Sequence, residues 1–129
     1  PGGVGLVLTG GPMRGLAMSY LASPVVKGCS GITVLGGAAA LRGRESSCIK
    51  CAKCVSACPM GLEPYLMAKL SRRKLWERLE AEWVTNCIEC GCCQFTCPAD
   101  IPLLDFIRMG KQEVGALIRA RAAAHATKK

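Results

Sequence analysis

Eight of the cysteines fall into two copies of one pattern, and that duplication constrains the chain more than any other feature. Cys48, Cys51, Cys54 and Cys58 are separated by two, two and three residues and followed by Pro59; Cys87, Cys90, Cys93 and Cys97 repeat the spacing and are followed by Pro98. Three thiolates at successive three-residue steps cannot spread around one tetrahedral ion without strain, but they can cap three corners of an iron–sulfur cube. The fourth corner has to come from elsewhere.

In two-cluster arrangements of this motif it comes from the other run, whose last cysteine is carried away from its neighbours by the Cys-Pro turn. Shorter Cys-x-x-Cys pairs also serve zinc and disulfide chemistry. Two complete runs, both ending in Cys-Pro, point to two [4Fe–4S] clusters. The expected ligand sets are Cys48, Cys51, Cys54 and Cys97 for the first cluster, and Cys87, Cys90, Cys93 and Cys58 for the second. Cys92, beside Cys93, would break the spacing if it replaced it, and is expected to point away from its cluster.

With 129 residues, half of them apolar, there is room for about one domain with a modest core. Ten cysteines would on count alone suit a secreted disulfide scaffold, but neighbours so closely spaced favour metal ligation over cross-linking of distant segments. A reducing compartment, the cytoplasm, is therefore expected. The formal charge of +8 invites a nucleic-acid or membrane reading, yet it counts the thiols as neutral. Two clusters with their thiolates would add roughly −4 and leave about +4, so much of the excess base compensates cluster charge. No apolar run approaches the length that spans a bilayer. The chain opens on Pro-Gly-Gly without a basic n-region or cleavage-site pattern, so no signal peptide is expected, and the opening reads as a fragment of something longer.

Three segments follow in order. Residues 1–45 are rich in Gly and β-branched residues and read as short strands over 5–9 and 32–35 joined by turns, a remnant of a preceding domain or linker. The loop from Gly10 to Gly15 lacks both the Lys-Ser/Thr of a phosphate-binding loop and the spacing of a dinucleotide fingerprint, and reads as a turn that needs positive φ. Cys29, alone here, reads as a small hydrophobe. Residues 46–112 form the cluster-bearing domain. Between its two runs the pattern is helical: Glu63 and Pro64 suit a first turn, Leu66 and Leu70 mark a face, and Trp76, Leu79 and Trp83 resume it, giving two helices or one kinked one. Both tryptophans are expected to pack this insert on the cluster core. The basic stretch 71–74 reads as a solvated face or as a docking surface for an acidic partner.

After Pro98, Asp100 is the expected cap of a helix with Pro102 in its first turn and an apolar stripe of Leu103, Leu104, Ile107, Val114, Leu117 and Ile118, weakened by Gly110 and Gly115. Residues 113–129 complete it as a basic tail that frays from about residue 120, and His125 within it is no ligand. Small or apolar residues between the ligands (Ile49, Ala52, Val55, Ala57, Ile88, Gly91, Phe95) are expected to shield the clusters. Lys50 and Lys53, set against Glu89, hint that the first cluster is the easier to reduce. Nearly thirty residues of helical periodicity separate Cys58 from Cys87, which favours a mainly α fold: a helical dicluster 2[4Fe–4S] ferredoxin domain preceded by a short Gly-rich β/turn segment.

Several stretches together resemble the C subunit of the Rnf electron transport complex. They are Gly10-Gly11-Pro12-Met13, Pro24 to Gly28 with Ser30-Gly31-Ile32, the first run from Cys48 through Leu62, Cys87-Ile88-Glu89-Cys90-Gly91, and Ile101-Pro102-Leu103. The resemblance covers most of residues 10–111 and is to the carboxy-terminal part of that protein; the flavin- and NADH-binding region of the family is not in this chain. It implies an electron-relay iron–sulfur subunit, peripheral on the cytoplasmic side of the bacterial inner membrane, in a ferredoxin:NAD oxidoreductase coupled to Na⁺ or H⁺ translocation. Its partners would be the other subunits of the membrane complex, with a ferredoxin or a flavin-bearing subunit as redox partner and no nucleic acid. The eight motif cysteines match the family's cluster ligands. Cys29 stands where Thr is usual, Cys92 where a small residue such as Ala is usual, and Arg14 where a second Met is common. Two other readings stand beside this one. One is an iron–sulfur subunit of a soluble or membrane-attached dehydrogenase or of an enzyme resembling heterodisulfide reductase, against which the amino-terminal Gly-Gly-Pro-Met and Lys-Gly segments argue. The other is a zinc-stabilised module that binds nucleic acid, which would need neither the third cysteine nor the Cys-Pro ending.

Overall fold

The computed structural model describes residues 4–41 and 43–126, with the backbone alone at Val4. Its contacts divide the chain into two compact units, the first ending at Arg44 and the second beginning at Glu45.

In the first unit the two apolar runs expected as strands are β1 (Val4–Thr9) and, beyond a two-residue β2 (Leu16–Ala17), β3 (Ile32–Gly36). They form an antiparallel sheet in the order β2-β1-β3, with Val7 opposite Val34 and Leu8 opposite Thr33. A strand as short as β2 shows no alternation, which is why the sequence does not announce it. Gly10 takes φ 107° in the turn that follows β1, as its sequence context requires. The Thr33 hydroxyl donates to the Gly10 carbonyl at 2.7 Å and ties β3 to that turn.

The second unit is helical. Its elements are α1 (Lys53–Ser56), α2 (Pro64–Arg72), α3 (Trp76–Ala81), a 3₁₀ turn at Val84–Asn86, α4 (Cys92–Phe95) and α5 (Leu103–Ala126). The mainly α architecture with a small amino-terminal sheet is the one expected. Between the cysteine runs the chain forms two helices and not one. α2 ends at Arg72, and Lys74 reverses the chain with φ 56°.

The core is built where α2 and α3 meet α5. Met67, Leu70, Leu79, Val84, Ile107 and Val114 are all buried there, and each such side chain contributes roughly 1.5–3 kcal/mol by leaving water. Gly110 is what lets the helices approach. A methyl group built on it would collide with the Ser71 hydroxyl and with Leu79, so the residue expected to weaken the α5 stripe is instead the contact point. Ser71 is itself fully buried, and its hydroxyl has no hydrogen-bond partner among the described residues.

Four further expectations are corrected. Trp76 packs against the core, but Trp83 is 66 % exposed. α3 stops at Ala81 and Trp83 takes φ 58°, which shifts the phase so that Val84 points inward in its place. Asp100 is no cap, since its φ of 51° places it in a left-handed turn. The amide of Leu104 instead donates to the side-chain carbonyl of Gln94, in α4, at 3.1 Å, so α5 receives its cap from another element. Leu117 and Ile118 are exposed, because the buried face of α5 ends at Val114 and its later contact with α3 is the ion pair of Arg121 with Glu80. Finally, Phe95 is exposed and takes no part in surrounding the cysteines, whereas Ile49 and Ile88, though exposed by more than half, each line the space around one set of them.

Candidate iron–sulfur centres

The two cysteine runs fold alike, position by position, at a separation of 39 residues. Lys50 and Ala52 in the first run take φ 56° and 59°; Glu89 and Gly91 take 56° and 83°. Left-handed residues at these points curl each run around a centre, with the amides turned inward as in an anion-binding nest. One helical turn, α1 or α4, lies within each run and carries its third cysteine. Its amides repeat the same bonds: Val55 to the Ala52 carbonyl and Cys58 to Val55 in one copy, Gln94 to Gly91 and Cys97 to Gln94 in the other. Three residues after the last cysteine of each run, Gly61 or Asp100 again has positive φ and donates from its amide to the carbonyl of Cys58 or Cys97.

The consequence of this duplicated path is an exchange of the last cysteines. A cavity of about 1100 Å³, open to solvent on one side, is lined by Cys48, Cys51, Cys54 and Cys97. A second, tighter cavity is lined by Cys58, Cys87, Cys90 and Cys93 among apolar side chains that include Met67, Leu104 and Ile107. α1 and α4 pack on each other between the runs, so each carries its terminal cysteine across to the opposite cavity. The thiols ring a space and do not meet at a point: among the described residues no three Cys, His, Asp or Glu side chains gather as a single metal ion would need.

Electrostatics separates the two cavities. Cys48 and Cys51 are exposed, whereas Cys93 is buried. Burial, reinforced by the facing Cys87, pushes the Cys93 thiol up to about 12. Cys87 is raised by burial as well, against the amide of Glu89 and the charge of Lys111, which lower it. Burial raises Cys54, with Cys97 adding to the effect, while the Tyr65 amide in the first turn of α2 opposes it. Thiols so placed repel one another as thiolates and hold their protons unless a cationic metal centre compensates them. Four thiol donors around each cavity, with amides directed at sulfur, fit a cubane cluster held by four cysteines.

The supports around the second cavity were not legible in the sequence. The Glu89 amide donates to Cys87 Sγ at 3.4 Å. Lys111 Nζ, from α5, donates to the Cys87 carbonyl at 2.6 Å and lies 3.2 Å from Glu89 Oε1, while Arg108 Nε donates to Glu89 Oε2 at 3.1 Å. Burial alone would raise the Glu89 carboxyl, but hydrogen bonds and charge from Lys111 and Arg108 outweigh it and hold its pKa below the usual range. Glu89 is thus neutralised locally, which removes the charge contrast that pointed to an easier reduction of the first cluster. Lys111 and Arg108 lie about twenty residues from the loop they hold, and no local pattern signals such a contact.

Neither of the two remaining cysteines is a lining residue of these cavities. Cys92 lines neither cavity; its pKa is raised chiefly by a hydrogen bond with Cys90. Cys29, in the first unit, donates from Sγ to the Gly31 carbonyl at 3.2 Å. His125 sits near the exposed end of α5.

A fold of two crossed cysteine quartets defines a class, and residues 47–102 match the family model of the 4Fe-4S dicluster domain. That domain with its cysteines implies two [4Fe–4S] clusters. Over 110 residues the chain is 42 % identical to the C subunit of the Na(+)-translocating ferredoxin:NAD(+) oxidoreductase complex of Acetobacterium woodii, covering 85 % of this chain and 25 % of that protein. It is 42 % identical over 77 residues to the C subunit of the proton-translocating ferredoxin:NAD(+) oxidoreductase complex of Clostridium ljungdahlii, covering 60 % and 17 %. With the C subunit of the ion-translocating oxidoreductase complex of Methanosarcina acetivorans the identity is 39 % over 110 residues, covering 85 % and 25 %. The chain is homologous over most of its length to the C subunits of the Rnf, or ion-translocating oxidoreductase, complexes, and it spans a quarter or less of the length of these three relatives. Among the described residues no helix is long and apolar enough to cross a membrane.

Proposed function

We propose that this chain is an electron relay within a membrane-associated ferredoxin:NAD oxidoreductase coupled to Na⁺ or H⁺ translocation. It would sit peripherally on the cytoplasmic side of the bacterial inner membrane, held by the other subunits, with residues 46–112 as its electron-transfer domain. Cys48, Cys51, Cys54 and Cys97 hold one cluster; Cys87, Cys90, Cys93 and Cys58 hold the other. The observation that carries this reading is the crossed lining of the two cavities, each drawing three cysteines from one run and the fourth from the other. When bound, the clusters supply one-electron redox capacity with little nuclear rearrangement. The protein supplies the rest. The short segments Cys54–Cys58 and Cys93–Cys97 each link one cavity to the other through a single helical turn, α1 or α4. Lys111 and Arg108 hold the loop of the buried cavity in place from α5.

The test is ligand exchange. Cys97→Ala should damage the cluster of the first run and reproduce the spectroscopic signature of Cys51→Ala, while Cys58→Ala reproduces that of Cys90→Ala and Cys92→Ala harms neither. A Cys97→Ala protein that matches Cys90→Ala would mean that each run builds its own cluster. A folded protein carrying stoichiometric zinc in place of about eight irons would sink the relay altogether.

A further inference from the structure

The two cavities differ in a way that cluster binding does not require. No charged side chain lines the second, and the charges beside it, Glu89, Arg108 and Lys111, are paired with one another. The first is lined by Lys50, Lys69, Arg72 and Arg73, with Glu45 as the one acidic residue in that lining. Glu45 is ion-paired with Arg72, whose guanidinium also lies 4.3 Å from the centre of the Phe106 ring. That pair is held and cancels. Lys50, Lys69 and Arg73 remain, all exposed and in no ion pair among the described residues. Compensation of cluster charge does not explain them, because the other cavity offers the same four thiols and has no such lining.

A basic rim beside exposed Cys48 and Cys51 is suited to meeting something negative that exchanges electrons there. We propose that the mouth of the first cavity is the docking site for an acidic one-electron carrier protein, with Lys50, Lys69 and Arg73 as its contact cations. The first cluster is then the port of the relay, and the second is the inner station. This inference rests on the relay reading above. A protein partner is favoured over a small anion because the cations come from two separate segments, Lys50 from the first cysteine loop and Lys69 and Arg73 from the carboxy-terminal end of α2. Their attraction acts over a Debye length, about 10 Å at moderate ionic strength, which suits steering of a large charged surface.

The test uses the cluster-loaded chain and a [2Fe–2S] ferredoxin of strongly negative net charge as the probe, mixed anaerobically in both redox directions so that one is downhill. The rim variant Lys69→Glu/Arg73→Glu is compared with a charge-matched variant on the far stretch of α5, Arg119→Glu/Arg121→Glu. Methyl viologen radical cation serves as a second reductant. At low salt the rim variant should exchange electrons with the ferredoxin at least about tenfold more slowly than wild type, and the α5 variant within about threefold, with the gap closing at high salt. With methyl viologen the rim variant should be no slower than wild type. Equal slowing of both variants, or of neither, overturns the port while leaving the relay intact. Failure of methyl viologen to reduce an iron-loaded wild type defeats the relay, and the port with it.

Discussion

Ala52 and Gly91 occupy the same place in the two runs, and both are held in the left-handed region, at φ 59° and 83°. For an L-residue with a Cβ that conformation costs roughly 1–2 kcal/mol, while glycine adopts it freely. The first run therefore stores strain that the second avoids. Gly91→Ala should lower the thermal midpoint of the cluster-loaded protein by several degrees, the shift expected for about 1 kcal/mol in a domain of this size. Ala52→Gly should leave it unchanged or raise it, since relief of strain is partly offset by the greater freedom of glycine in the unfolded chain. Equal losses from both substitutions would show that the two positions do not play equivalent parts.

At the scale of elements, the contact between α2 and α5 is decided by Gly110 against Ser71. Adding one methyl there forces two helices apart, and Gly110→Ala should destabilise the second unit by about 1–3 kcal/mol, read as a lowered thermal midpoint. Ser71→Ala should be neutral or stabilising by up to about 1 kcal/mol, because it removes a buried hydroxyl without a partner among the described residues. A large loss in Ser71→Ala would reveal a hydrogen bond formed by that hydroxyl. α5 also anchors the second cysteine loop through Lys111. Lys111→Met retains most of the side-chain bulk but deletes the donor to the Cys87 carbonyl, and should shift the spectrum or potential of the second cluster while sparing the first. A change confined to the first cluster would contradict the assignment of Lys111 to the Cys87 loop.

For the whole molecule, the contrast in exposure separates the clusters chemically. Two of the cysteines that line the first cavity, Cys48 and Cys51, are exposed, and the second cavity includes buried Cys93. Chelator or mild oxidant should therefore strip iron in two phases, first from the cavity of Cys48 and then, more slowly, from that of Cys93. Iron release followed together with the spectra of Cys51→Ala and Cys90→Ala proteins checks the order. Release of all the iron in one phase would show that the two centres stand or fall together. Complete removal should also loosen the second unit, since it leaves raised-pKa thiols facing one another around space that the protein does not fill.

What was legible in the sequence was whatever depends on neighbours along the chain. The duplicated spacing with its Cys-Pro endings pointed to two clusters and to the crossing of the last cysteines, which the cavity linings repeat, and apolar periodicity marked α2, α3, α5 and two of the three strands. The phase errors at Trp83 and the cap at Asp100 arose where a left-handed residue redirects the chain, because such a turn changes which side chain faces inward without changing the local pattern. The remainder was decided by contacts between segments far apart in sequence: Gln94 capping α5, Lys111 and Arg108 neutralising Glu89, Gly110 admitting Ser71, and Arg72 tied to Glu45 and Phe106. Spacing along the chain carries local geometry, but it carries no record of which distant charge or void will lie opposite; only packing in three dimensions sets that.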